Sequence, residues 1–402
     1  MQAVVLYSSH QVSRLTGGSN DPGRTGAPFP HTQIPLSNRR GLSPDADWDA
    51  VLTEAKMQSV VGIAAKALPD GCSKEIRTAW ATAEQQQFVS NIRYWNAQDE
   101  LHRLFVQNHV PYVILKGAAA AMYYPSPLRR AMGDIDLWVP PEQFDHARSV
   151  LTKNGYAPVP GRHDRHFAYV KASVRIELHH TFSYLDLNLE AAILSGLPRA
   201  DLCKVEGHLF YALPAAENGL ILLAHLWNHL HAGVGLRQLI DWMLFVHGRL
   251  DERLWAAVFS SMAQRYGLEK TALVATRTCQ RHLGLPAAAW CASAEDALCD
   301  RLLSTILRSG NFGRKTASAG KAAKRVQTVL ASVHRYGLLR VLQRGGEIHW
   351  SACQKHPWLK PFAWLYQLIR YPILWFRSSR QGKLSSLVEA EKERNELLRR
   401  LK

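Results

Sequence analysis

The stretch ILKGAAAAMYYPSPLRRAMGDIDLWV, residues 114–139, decides the fold. It opens at the end of the apolar run 110–115, which is typical of a buried strand and is closed by a Lys-Gly pair. Small helix-forming residues follow, and a second apolar run, 134–139, ends at Pro140 because proline cannot continue a central strand. The stretch therefore predicts a strand, a glycine turn, a short helix and a second strand.

Two carboxylates in the second run carry the chemical signal. Asp134 and Asp136 are two positions apart, so in a strand both side chains project from the same face. Two like charges on an apolar strand are costly unless a cation lies between them, and Mg²⁺ prefers carboxylate and phosphate oxygens. Glu177, in a later strand, can supply the third carboxylate of a two-metal site. The alternative is a pair of surface aspartates at a strand end.

The turn between the first strand and the helix predicts a site for phosphate. Lys116, Gly117 and Ala118 form this turn, which offers backbone N–H groups and a helix N-terminus to an anion. Lys116 and Arg130 add positive charge, and arginine binds phosphate through paired hydrogen bonds. These four residues are the predicted phosphate-binding group.

The rest of the chain predicts an α+β protein, with a small mixed-sheet core embedded in a mostly helical chain. Composition and periodicity divide it into a disordered leader (1–45), N-terminal helices (46–108), the core (109–186), a helical domain (187–300) and a basic helical C-terminal region (301–402). The core includes a predicted hairpin of residues 166–171 and 174–179. One further strand is predicted at 208–213, and basic helices at 321–344 and 384–401.

Charge is distributed unevenly along the chain. The 402 residues carry a formal net charge of +16, from 49 Lys and Arg against 33 Asp and Glu. The whole excess lies in residues 301–402, which hold 21 basic and 5 acidic side chains. This asymmetry predicts an anionic partner for that region, either nucleic acid or a membrane surface. A basic surface that serves solubility alone is the alternative.

Residues 361–376 are the most apolar stretch, and they are shorter than the ~20 residues that a spanning helix needs. Their aromatic residues, flanked by cations, fit an interfacial helix pair at a membrane, a helix packed on the core, or a surface that stacks single-stranded nucleic acid. The N-terminus lacks a signal-peptide pattern and the six cysteines form no Cys-x-x-Cys pair. We therefore expect a cytoplasmic protein without a transmembrane segment, with peripheral membrane association as an option.

These motifs resemble the polymerase-β-type nucleotidyltransferase superfamily. More narrowly, residues 47–246 resemble a bacterial nucleotidyltransferase family whose genes often lie beside those for lasso-peptide or surface-polysaccharide biosynthesis. The family has a Leu-Lys-Gly turn, a Tyr-Pro pair, an arginine four residues before the first aspartate, an Asp-x-Asp motif and an acidic-x-His strand. The matching residues are Leu115, Lys116, Gly117, Tyr124, Pro125, Arg130, Asp134, Asp136, Glu177 and His179. Its later His-x-x-x-His and Arg-x-x-x-Asp motifs match His225, His229, Arg237 and Asp241.

The resemblance implies an enzyme that binds a nucleoside triphosphate, such as ATP, with two Mg²⁺ ions. It would transfer the nucleotidyl group to a peptide, a sugar or another small molecule and release pyrophosphate. Asp134, Asp136 and Glu177 would then be the catalytic metal ligands. The nucleotide-binding residues would be Lys116, Gly117, Ala118 and Arg130. Residues assigned to the acceptor or substrate are His179, His225, His229, Arg237 and Asp241. Two departures stand out: the wider superfamily has serine where this chain has Ala118, and aspartate is more usual than Glu177.

Two other functions fit parts of the sequence. A catalytically silent module would use the same turn to hold nucleotide or acceptor, but it would need no metal-binding carboxylates. A nucleic-acid-binding protein would act through residues 301–402. His225 and His229 are one helical turn apart, which leaves a zinc pair, packing with helix-terminal hydrogen bonds, and substrate contact as interpretations.

Overall fold

The structure is a computed structural model that describes residues 43–160, 166–184, 187–313, 315, 333, 337–379 and 384–402. Over these residues the chain forms two compact units. Unit 1 comprises the described residues within Met1–Trp227 and Leu236–Leu302, and unit 2 comprises those within Asn228–Gly235 and Leu303–Lys402. Of the predicted leader, residues 1–42 lie outside the described residues.

The chain enters unit 1 through helices whose ends follow from local capping. Helix α1 is Trp48–Gln58, and its first turn is capped by the Asp47 carboxylate, which accepts a hydrogen bond from the Ala50 amide. A short helix α2, Val61–Ala64, leads to the long helix α3, Lys74–Gln107. One face of α3 buries Trp95, Leu101 and Phe105, which places this helix against the hydrophobic core.

A mixed seven-stranded sheet forms the centre of unit 1, with strand order β3-β4-β5-β2-β1-β9-β8. Its strands are β1 Val113–Leu115, β2 Ile135–Trp138, β3 Ala157–Pro158, β4 His166–Lys171, β5 Val174–His179, β8 Asp201–Val205 and β9 His208–Ala212. The short strands β6 Ser183–Tyr184 and β7 Leu187–Asn188 form a second, two-stranded sheet. The predicted α+β architecture with a small mixed sheet is confirmed.

The central strands β1, β2 and β5 are short and apolar. β2 runs antiparallel to β1 and parallel to β5, and the three strands are neighbours in the sheet. The end of β1 therefore lies at the same edge of the sheet as the beginning of β2 and of β5. Ile114, Leu137 and Ile176 lie in the same buried cluster. Burial of such side chains stabilises each by about 1.5–3 kcal/mol relative to exposure, which fixes the register of the strands.

The predicted hairpin has the predicted bounds, but the expectation of only one strand after residue 187 was wrong. Strand β8 pairs antiparallel with β9 through a turn at Glu206-Gly207, where both residues have positive φ. β8 lies at the sheet edge and is mostly exposed, so its sequence DLCKV lacks the apolar alternation that marks a half-buried strand. The two-residue turn with glycine was the available signal for this hairpin.

Helices complete both units. In unit 1 they are α4 Gly117–Ala121, α5 Phe144–Lys153, α6 Glu190–Gly196, α8 Leu236–Arg249, α9 Glu252–Leu254, α10 Ser260–Arg265 and α11 Glu269–His282. Helices α7 Ala215–Ala232 and α12 Asp296–Ser309 each contribute to both units. Unit 2 adds α13 Leu338–His349, α14 Ser351–Lys355, α15 Ala363–Ser379 and α16 Leu384–Leu401.

Two sequence expectations fall on unit 2. The predicted helix 384–401 coincides with α16, whereas most of the predicted helix 321–344 lies outside the described residues. None of the helices within the described ranges has the length and apolar character needed to cross a bilayer.

Candidate active site

The three predicted carboxylates meet at one edge of the central strands. Asp136 lies in β2, and Asp134 immediately precedes the same strand, so both project from one face, while Ile135 and Leu137 enter the core behind them. Glu177 lies in β5, opposite Asp136 in the parallel register. One carboxylate oxygen from each of Asp134, Asp136 and Glu177 lies within 4.8 Å of the others. Strand pairing alone therefore assembles a three-carboxylate group.

Within this group, nearby positive charges do not offset the effects of burial and of the neighbouring carboxylates on Asp134. Burial, followed by the negative charges of Asp136 and Glu177, raises the pKa of Asp134 to about 6, although Lys116 acts in the opposite direction. Burial alone would also raise the pKa of Asp136, but Lys116 and a hydrogen bond with His179 outweigh it and lower that pKa. The two neighbouring aspartates therefore differ in how well the chain neutralises them.

Lys116 supplies the charge that neutralises Asp136. Its Nζ atom lies 2.8 Å from Asp136 Oδ1, and the side chain also passes over the rings of Phe182 and Tyr184. Burial would lower the pKa of Lys116, but the adjacent Asp136 raises it above the usual value. Lys116 has a backbone φ of +59°, a conformation rare for a residue with a Cβ, and this turn aims its side chain back at β2.

The glycine turn lies beside Asp134, as the sequence predicted. Gly117 has φ +41°, and a Cβ there would lie 3.8 Å from the Asp134 carbonyl oxygen. Ala118 is buried in the core cluster, so only its backbone faces the turn. The helix that starts here, α4, is five residues long.

His179 lies inside the carboxylate group. Its Nε2 atom is 3.0 Å from Asp136 Oδ1 and 3.8 Å from Glu177 Oε2, and the residue is buried. Sequence reasoning missed His166 as a site residue, although β4 places it directly opposite His179 and 3.5 Å from Glu177. The hairpin turn at Ala172-Ser173 fixes this register, so counting outward from the turn would have paired the two histidines.

Arg130 lies in a second charged cluster rather than in the carboxylate group. Its Nε and Nη2 atoms each donate to Asp241 at 2.7 Å, and the Tyr124 hydroxyl donates to the same carboxylate at 2.6 Å. Arg237, on the same helix as Asp241, donates to the Ala131 carbonyl at 2.9 Å. Arg130 is only 3% exposed, and its paired hydrogen bonds are made to Asp241 rather than to a surface where phosphate could bind.

The cluster around Arg130 and Asp241 acts on the carboxylate group through its charge. The charge of Arg237 lowers the pKa of Asp134, against the larger raising effects of burial and of Asp136. In turn, burial and the charge of Arg130 lower the pKa of Arg237. The helix α8 thus brings Arg237 and Asp241 to the segment that leads into β2.

The two helix-borne histidines have different surroundings. His225 stacks on Tyr184, with ring centroids 6.1 Å apart, and Tyr184 is the residue that Lys116 overlies. His229 belongs to unit 2, where its Nδ1 atom lies 3.2 Å from the Gly233 carbonyl and its ring contacts Phe312. Among the described residues, neither belongs to a group whose geometry could hold a metal ion.

The comparison with protein families agrees with this site. Residues 44–284 match the model of a family described as an uncharacterised nucleotidyltransferase. Since the match covers more than half of the chain and includes the whole site, the chain belongs to this family and is a nucleotidyltransferase. No curated protein and no solved structure shows significant similarity to the chain.

Proposed function

We propose that the chain transfers a nucleotidyl group from a nucleoside triphosphate, with ATP as one candidate, to a peptide, a sugar or another small molecule, in a Mg²⁺-dependent reaction. The observation that carries this proposal is the convergence of Asp134, Asp136 and Glu177 within 4.8 Å. The order of strand, glycine turn, helix, Asp-x-Asp strand and acidic strand supports assignment to the polymerase-β-type superfamily.

The donor set fits magnesium. All three residues offer carboxylate oxygens, the ligands that Mg²⁺ takes together with substrate phosphates. The raised pKa of Asp134 reflects burial beside two further carboxylates, and a divalent cation would relieve that repulsion. Two ions sharing these residues would follow the two-metal arrangement of phosphoryl-transfer enzymes.

Glu177 and the bound magnesium have different roles in the proposed transfer. Magnesium bound here would supply positive charge to the triphosphate and to the pyrophosphate that leaves. Glu177 orients the acceptor hydroxyl and takes its proton. The acceptor oxygen forms a bond to the α-phosphorus, and the bond from that phosphorus to the bridging oxygen of pyrophosphate breaks in line with the attack.

Lys116 and the turn bind the phosphates of the substrate. The Lys116 ammonium lies against Asp136, where it is available to the pyrophosphate leaving group, and the amides of Gly117 and Ala118 line the same turn. Arg130 has a positioning role instead, because Asp241 occupies its guanidinium. This replaces the direct phosphate contact that the sequence had predicted for it.

Among the residues assigned to substrate, His179 and His225 have the best support. His179 contacts two of the carboxylates, and His225 stacks on Tyr184 next to Lys116. Arg237 and Asp241 act through the cluster with Arg130, and contact of His229 with substrate stays a prediction. A cytoplasmic location and an anionic partner for residues 301–402 also stay predictions.

Product formation tests this proposal. Purified full-length chain is incubated with Mg²⁺, a cell extract and each nucleoside triphosphate labelled at the α-phosphate, beside the variants Asp134→Asn and Asp145→Asn. Asp145 is the matched control, because its carboxylate is exposed on α5. We expect labelled product from the wild type and Asp145→Asn only. Full activity of Asp134→Asn would contradict the proposal.

A further inference from the structure

Two histidines contact Glu177 from neighbouring strands. His166 in β4 and His179 in β5 face each other across the hairpin, with ring centroids 4.9 Å apart. One ligand atom from each of His166, Glu177 and His179 lies within 4.8 Å of the others. Both imidazoles approach the same carboxylate oxygen, Glu177 Oε2, at 3.5 and 3.8 Å. Arg175 pairs with the other oxygen, Oε1, at 3.1 Å.

We propose that His166, Glu177 and His179 form a binding site for a divalent transition metal such as Mn²⁺, Co²⁺ or Zn²⁺. Imidazole nitrogen is a good ligand for these ions, whereas Mg²⁺ prefers oxygen. Two histidines and one carboxylate leave coordination positions open for a substrate or water oxygen. The site differs in its donor set from the three-carboxylate group, with which it shares Glu177, and its His179 Nε2 atom also lies 3.0 Å from Asp136 Oδ1.

The burial of these side chains suits a ligand site. The side chains of His166 and Glu177 are 18% and 17% exposed, and that of His179 is 8% exposed. They are held in place by paired strands, yet two of them remain reachable from solvent, as an exchangeable ion requires. Arg175 orients the Glu177 carboxylate and leaves Oε2 directed at the imidazoles.

This inference rests on the proposed function only in placing an acceptor near Glu177. A metal at the histidine side would hold the acceptor oxygen, while the three carboxylates hold the triphosphate. This ion would be additional to the magnesium held by the three carboxylates, and Glu177 would belong to both sites. Magnesium alone would not fill both positions equally well, because only one of them is made of oxygen ligands alone.

Cobalt binding tests the site without a substrate. Full-length protein with excess Mg²⁺ is titrated with Co²⁺, and the visible absorption that nitrogen-ligated Co²⁺ develops is followed for the wild type, His166→Ala, His166→Gln and His146→Ala. The exposed His146 on α5 is the matched control. We expect the wild type and His146→Ala to saturate at about one equivalent. Both His166 variants should lose affinity at least about tenfold, with unchanged circular dichroism.

The outcomes separate this inference from the proposed function. Absence of the cobalt band in the wild type, or the same band in His166→Gln, would overturn the metal site and leave nucleotidyl transfer unaffected. Asp134→Asn should keep the band while losing transfer. Binding of Co²⁺ by a wild type that forms no labelled product would support the metal site and contradict the proposed function.

A separate observation concerns unit 2, where α15 and the residues just before it expose large apolar side chains. Trp358 and Ile369 are each 70% exposed. The exposed set in this segment is Trp358, Phe362, Leu365, Leu368 and Ile369. Phe362, Leu365 and Ile369 follow helical spacing, so they share one face. The opposite face packs on α13, where Gly346 touches the Ala363 backbone so closely that no side chain would fit.

Positive charge surrounds this apolar face. Residues 338–371 hold five Lys or Arg and a single acid, Glu347. Lys355 and Lys360 are exposed beside Trp358, and Arg340 is exposed on α13. An exposed apolar helix face with cationic flanks is the pattern of a helix that lies in the interface of an anionic membrane.

We infer that this face, defined by Trp358, Phe362, Leu365, Leu368 and Ile369, docks on the surface of an anionic lipid bilayer. The aliphatic members favour lipid over nucleic acid, since leucine and isoleucine offer no ring on which a base can stack. The acyl chains of the bilayer accept such side chains, and its anionic headgroups attract the lysines.

Vesicle sedimentation tests this inference. Full-length protein is mixed with vesicles of phosphatidylcholine alone or with added phosphatidylglycerol, beside Leu365→Ser/Ile369→Ser and the control Val258→Ser, which changes an exposed apolar residue of unit 1. We expect wild type and control to sediment with the anionic vesicles only, and the double variant to bind at least about tenfold more weakly. Equal binding of the double variant, or salt-sensitive binding of single-stranded RNA with none of vesicles, would overturn the inference.

Discussion

Two charged clusters adjoin each other in unit 1, one around Asp241 and the other formed by Asp134, Asp136 and Glu177, and the chain neutralises their carboxylates to different degrees. Asp241 receives two hydrogen bonds from Arg130 and one from Tyr124, so cationic and hydroxyl donors surround it. Asp134 has two further carboxylates as neighbours, and burial together with their charge raises its pKa to about 6. Arg130 and Tyr124 thus satisfy the Asp241 carboxylate, whereas in the carboxylate group Lys116 lies against Asp136 and the pKa of Asp134 stays raised. From this difference we infer a structural role for Asp241 and a functional role for Asp134.

The cluster around Asp241 holds in place the segment that leads to the carboxylate group. Asp241 holds Arg130, which lies a few residues before β2, and Arg237 on the same helix donates to the Ala131 carbonyl. Both contacts fix the segment that carries Asp134 into the sheet. We therefore expect changes in the cluster around Asp241 to act on stability, and a change at Asp134 to act on catalysis.

Asp241→Asn should have the largest effect. It leaves Arg130 and Arg237 buried beside a neutral amide, and breaking a buried ion pair costs about 3–5 kcal/mol. The free energy of unfolding from urea titration measures this loss. Asp145→Asn, at an exposed position, should change it by no more than about 0.5 kcal/mol. Equal unfolding free energies for both variants would show that the Arg130 pair adds nothing.

Asp136→Asn should abolish transfer. Replacing a residue that only orients a metal ligand lowers activity about 10–100-fold, so for Asp136, a proposed ligand, we expect kcat to fall by more than about 100-fold. Rates of labelled product formation at saturating triphosphate measure it. An increase in KM alone, with kcat preserved, would place Asp136 outside the chemical step.

Tyr124→Phe should have a smaller effect, confined to stability. The Tyr124 hydroxyl donates to a charged acceptor, and such hydrogen bonds contribute about 1.5–3 kcal/mol. Tyr123→Phe is the matched control, because its hydroxyl bonds the neutral amide of Asn218, for which about 1 kcal/mol is expected. Urea titration should rank the two variants in this order, and the reverse order would contradict the role given to Asp241.

Much of the fold and of the carboxylate group could be predicted from the sequence. The partner of Arg130 and the edge strand β8 could not, for physical reasons. Local patterns placed Asp134, Asp136 and Glu177 on strands, and strand alternation put the two aspartates on one face. The partner of Arg130 could not be derived, because Asp241 is 111 residues away and local spacing says nothing about such contacts. The edge strand β8 was missed because an exposed strand lacks the alternation that buried strands show.

Thermal unfolding of wild type and Asp134→Asn, with chelator and then with Mg²⁺, tests the central claim most directly. A carboxyl whose pKa is raised by folding destabilises the fold when ionised, so the measurement is made about two units above that pKa. In chelator we expect the variant to melt about 2–4 °C above the wild type for each kcal/mol of repulsion removed. Added Mg²⁺ should raise the midpoint of the wild type and leave the variant unchanged. A variant that melts below the wild type in chelator, together with a wild type that does not respond to Mg²⁺, would contradict the claim that these carboxylates form a cation site.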